Sequence, residues 1–149
     1  MSGSARLAVA AAWLLLGITR LLMLVLPFKV VRHLLGEHRS PRATGPDTSP
    51  VPLLLRGKDL DRARKIGWTV QTAARRTPWR SECFPQALTA RLLLRAARVP
   101  HVVTFGLRRD DAGTLKAHVW VAADQVAVTG GSGSTWTGVG SFAWAPRSR

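Results

Sequence analysis

The stretch CFPQALTARLLLR at residues 83–95 puts a cysteine two residues ahead of a proline, followed by leucines at helical spacing. Proline suits the first turn of a helix, where its missing N–H has no intrahelical partner. Phe84, Leu88 and Leu92 recur at i, i+4 and share one face. The spacing predicts a helix from about Pro85 to Ala97, ended by Val99-Pro100. Cys83 then stands at the helix start, where unpaired backbone N–H groups and the helix dipole favour negative charge. Its polar flank, Arg80-Ser81-Glu82, speaks against a deeply buried structural cysteine. Cys83 is therefore a candidate nucleophile.

Upstream, Leu60, Ala63, Gly67, Val70 and Ala74 recur with helical period, so residues 59–76 read as an amphipathic helix stopped by Thr77-Pro78. Downstream, residues 101–108 and 115–122 read as strands around a turn at Asp110, Asp111 and Gly113. A tight turn at 123–125 leads to a short strand at 126–129. Residues 130–140 hold five of the thirteen glycines and read as loop. Helices followed by an antiparallel meander make an α+β layout.

The 149 residues fit one domain of ordinary size. Only one cysteine is present, so no intramolecular disulfide forms, and a lone thiol fits a reducing, cytoplasmic compartment. With no second cysteine and four scattered histidines, no metal site and no cofactor are expected. The net charge of +14 would suit a polyanionic partner. Yet the chain is rich in Ala, Arg, Leu and Gly and lacks Asn and Tyr, a compositional bias that accounts for the excess arginine. Its basic residues do not interleave with aromatics on one stripe, so no nucleic-acid partner is expected.

Residues 7–28 are apolar except for Thr19 and Arg20. Their length would span a bilayer. Arg20 near the centre, at about 2.5–3.5 kcal/mol on insertion scales, and Pro27 at the end weigh against a span. No small-x-small cleavage site follows, so a signal peptide fits poorly. The favoured reading is a buried helix, with membrane association second. Residues 38–52 carry four of the nine prolines and read as linker or disordered loop. The expected organisation is an N-terminal apolar helical segment at 1–37, a linker at 38–57 and a catalytic domain at 58–149.

His118 lies mid-strand between Ala117 and Val119, with Trp120 two residues on. A helix-start cysteine followed by a mid-strand histidine is the layout of papain-like and transglutaminase-like enzymes. His118 is thus the candidate base. Asp124 is the only acid after it. In a hairpin centred on 124 that residue lies about 20 Å from the imidazole, six residues at about 3.3 Å each, so it is not expected to orient the ring. Gly130 falls opposite His118 in this register. A backbone carbonyl, the Thr129 hydroxyl or a more distant residue remains to fill the role. The Cys83 N–H is the expected oxyanion donor, with Gln86 a weaker candidate.

CFPQALTARLLLR, the Pro78-Trp79 stop, FGLR at 105–108, AHVWV at 117–121 and VTGG at 128–131 together resemble the leader peptidases of lasso-peptide biosynthesis, a transglutaminase-like family of cysteine proteases. Leu26-Pro27-Phe28 also resembles the start of this family. The resemblance implies Cys83 as nucleophile, His118 as base, and a family acid at the position that is Gly130 here. It implies cleavage of a precursor peptide between leader and core, ahead of an asparagine-synthetase-like cyclase. The residues before 58 are too few for a leader-binding module, so a small leader-recognition protein is expected in trans. Rival readings are a transglutaminase-like amide-forming enzyme and a non-catalytic, membrane-anchored basic adaptor.

Overall fold

The computed structural model describes residues 2–27, 30, 38–39, 55–79 and 82–146. Along the chain run α1 (Gly3–Val25), β1 (His38–Arg39), α2 (Gly57–Ala74), α3 (Cys83–Ala96), β2 (His101–Arg109), β3 (Leu115–Ala123), β4 (Val126–Thr129) and β5 (Thr137–Trp144). The expected α+β layout forms. The anticipated helices after residue 55 and the three meander strands lie within two residues of these bounds, whereas the apolar helix read over 7–28 runs from Gly3 to Val25.

α3 begins at Cys83, with Glu82 as N-cap, so Pro85 occupies the third helical position. It ends in a left-handed residue, Arg98, with φ at 57°. The Val99 N–H then bonds the Leu94 carbonyl at 2.9 Å and the Arg98 N–H bonds that of Arg95 at 3.0 Å. This satisfies the last carbonyls of the helix and turns the chain into β2.

The sheet is antiparallel with order β1-β5-β2-β3-β4. β2, β3 and β4 form the expected meander. β5 does not extend it but returns to pair with the far side of β2, Val103 opposite Phe142. This strand begins inside the stretch read as loop. Gly138 and Gly140 depress its apparent strand propensity, and a bulge interrupts its register between Phe105 and Gly106. β1 takes two residues from the stretch read as linker and pairs His38 with Phe142. Residues 40–54 of that stretch lie outside the described residues.

α2 and α3 cover one face of the sheet. Val103, Val119, Val121, Val128 and Phe142 pack there against Ala63, Val70, Leu88 and Leu94. Each such aliphatic side chain contributes about 1.5–3 kcal/mol on burial. α2 approaches β4 so closely that a Cβ on Gly67 would lie 2.8 Å from the Val128 carbonyl oxygen. α1 packs on α2 and α3 through Val9, Ala12 and Leu16, joined to Ala73 and Leu93. The Thr19 and Thr89 hydroxyls meet at 3.3 Å between α1 and α3. Trp13 stacks obliquely on Trp79, ring centres 5.4 Å apart.

Candidate active site

Cys83 occupies the first helical position of α3, where its own N–H has no intrahelical acceptor. It is half-buried and packs on the core from the helix side. Phe84 anchors this turn, its ring 5.6 Å from that of Phe105, which in turn meets Phe142 edge-on.

His118 sits on β3 opposite Gly106 of β2. Side chains alternate along the strand, and Val119, Val121 and Ala123 point into the helix-covered core. His118 and Trp120 therefore share the other face. The imidazole stacks against Trp136 at 4.8 Å and lies 6.1 Å from Trp120. Arg108 sits over Trp136 at 4.5 Å.

The ring is fixed by a 2.8 Å hydrogen bond between Nε2 and the Gly130 carbonyl. A carbonyl only accepts, so Nε2 carries the proton and Nδ1 presents its lone pair. The main chain thus holds the tautomer a general base needs. Gly130 has φ at 78°, and a Cβ there would lie 2.5 Å from the Val119 oxygen. No side chain, acidic or otherwise, fits at that position without moving β3. Thr129 is buried and its hydroxyl is not the acceptor.

Asp124 is at the β3–β4 turn, as its spacing suggested, with φ at 53°. Its carboxylate accepts from the Leu55 N–H at 3.4 Å and so ties down the chain entering α2. Gln86, one turn beyond Cys83, faces a cleft of about 470 Å³ lined also by Gln71, Ala74, Arg75, Gly130 and Gly131. The Gln71 amide donates to the Val128 carbonyl at 3.1 Å and fixes the cleft wall to β4.

Cys83 and His118 are thus carried on the helix side and the outer side of β3, and among the described residues no hydrogen bond joins them. Two features link their surroundings. β4 pairs with β3 only from Val121 onward, so among the described residues the β3 edge beside His118 has no strand partner. Gly130, which holds His118, also lines the cleft together with Gln86 of α3. Sequence reasoning missed Trp136 and Gln71. Trp136 stands in a glycine-rich stretch that gave no periodic signal, and Gln71 lies on a helix read only for its apolar stripe. Among the described residues no three side chains of metal-binding type converge.

A family model described as the transglutaminase-like superfamily matches residues 22–142. No curated protein and no solved structure matches the chain.

Proposed function

Because the chain belongs to the transglutaminase-like superfamily, a cysteine-based acyl-transfer fold, we propose that it is a cysteine endopeptidase that removes the leader from a lasso-peptide precursor. The observation that carries the reading is the fixed tautomer of His118, with Nε2–H held by Gly130 and Nδ1 left basic. In the proposed step His118 takes the thiol proton and the Cys83 sulfur attacks the scissile carbonyl. The Cys83 N–H is the proposed donor to the resulting oxyanion. His118 returns its proton to the leaving amine, and the acyl-enzyme is then hydrolysed by water. The step requires the thiol and imidazole, carried on the two sides of β3, to come within hydrogen-bond reach of each other in the substrate complex.

The cleft is small for a long peptide, which supports a leader-recognition protein acting in trans, with a separate cyclase consuming the product. The reading places the enzyme in the cytoplasm. The same chemistry with an amine in place of water would form an amide, so acceptor choice separates the peptidase from a ligating enzyme.

The test is cleavage of the precursor followed by mass spectrometry, with and without the recognition protein. Cys83→Ala should abolish cleavage, and His118→Ala should lower kcat/KM by about 10²–10⁴. Adding the recognition protein should raise kcat/KM by at least about tenfold, equivalent to about 1.4 kcal/mol. Iodoacetamide should label Cys83 more slowly at neutral pH in His118→Ala than in the parent. Parent-like cleavage by folded Cys83→Ala would defeat the proposal. Trapping by an added amine rather than water would favour the amide-forming alternative.

A further inference from the structure

From Leu7 to Val25, α1 is apolar but for Thr19 and Arg20, yet it buries only one stripe against the rest of the protein. Val9, Ala12, Leu16 and Thr19 are buried. On the opposite side Leu7, Ala11, Leu14, Ile18, Leu21 and Val25 follow one another at alternating four- and three-residue steps, all exposed. Leu7 is 74% exposed, Leu21 61% and Val25 71%. The row runs about 27 Å without a polar group, 18 helical rises of about 1.5 Å each. An apolar helix face of this length belongs in a core or in lipid. This one is long and apolar enough to cross a membrane, but its inner stripe holds it against α2 and α3.

The row meets a groove lined by Arg6, Val9, Ala10, Trp13, Leu14 and Arg76. Tryptophan and arginine beside leucine suit the boundary between headgroups and acyl chains. The net charge of +14 complements an anionic surface. A helix seam meant for a second protein chain is usually specified by charged residues flanking it. The flanking Ala10, Leu15, Gly17 and Leu22 supply none.

We propose that α1 lies in the plane of a bilayer surface bearing anionic lipid. The Leu14, Ile18 and Leu21 row enters the acyl region, and Arg6 and Arg76 sit at the headgroups. The protein body takes the place of the polar face that an ordinary interfacial helix would carry. This attachment goes beyond the peptidase reading and is independent of Cys83.

The experiment is flotation of the full chain with vesicles of phosphatidylcholine alone or mixed with phosphatidylglycerol. The chain should float with the anionic vesicles. The triple variant Leu14→Glu, Ile18→Glu, Leu21→Glu should partition at least about tenfold less, with near-ultraviolet circular dichroism reporting its fold. Arg6→Glu, a change on the exposed rim, should weaken binding to anionic vesicles only. Brominated acyl chains should quench tryptophan fluorescence of the unaltered chain, a readout that needs no variant. Failure of the unaltered chain to float, undiminished binding by the folded triple variant, or absence of quenching would each overturn the proposal. A concentration-dependent dimer in sedimentation, broken by the triple variant and indifferent to vesicles, would assign the face to a second copy instead.

Discussion

Two histidines in one sheet are held by backbone carbonyls with opposite consequences. His118 binds Gly130 through Nε2 at the sheet edge, whereas His101 binds the Val99 carbonyl through Nδ1 in the core. Burial, assisted by the charges of Arg91 and Arg95 against the pull of the Val99 carbonyl, lowers His101 from 6.5 to about 4. The unfolded chain takes up this proton at higher pH than the folded one. The stability involved is fully present above about 6.5 and is lost as pH falls through about 4, by up to about 3 kcal/mol. Urea denaturation at pH 7 and pH 4.5 should show this loss in the parent and a smaller one in His101→Gln. Identical losses would remove His101 from the account. At Gly130, Ala should cost about 1–2 kcal/mol through positive φ alone, and displacement of the carbonyl should lower activity at least about tenfold if His118 is the base. Unchanged thermal stability and kcat/KM would contradict both parts. The sequence made Cys83 and His118 visible as candidates because helix starts and alternating strands leave patterns in side chains. For the acceptor of His118 the hairpin spacing pointed to Gly130 but not to its carbonyl, which every residue carries, and the register itself differs, since a bulge puts Thr129 rather than Ala127 opposite Val121.

The elements divide between those whose signal is periodic and those built by exception. α2, α3, β2, β3 and β4 follow from spacing and were legible to within two residues. β5 was not, because its glycines withhold the side chains that would advertise a strand. Gly67 is different, a glycine its neighbours require in a helix where alanine would ordinarily be the better residue by about 1 kcal/mol. Here the Val128 carbonyl and Cα leave no room for a methyl group. Gly67→Ala should therefore destabilise by about 1–3 kcal/mol through separation of α2 from β4. A midpoint in chemical denaturation equal to or above the parent's would show that the helix can shift freely.

Over the whole molecule, α1 joins α2 and α3 through contacts remote in sequence, Thr19 with Thr89 among them. A chain starting at residue 37 should be insoluble or unfolded, since it uncovers Ala73 and Leu93. A soluble, active truncation would make α1 an appendage. The interior place of β5 has another effect, felt while the protein is being made. As residues leave the ribosome in order, β2, β3 and β4 can assemble first, and β2 then presents a bare edge of nine residues. An open edge of that kind recruits strands from other chains. The hazard lasts until residues 137–144 emerge and close it, so translational pauses late in the message should favour aggregation more than pauses within the helical half.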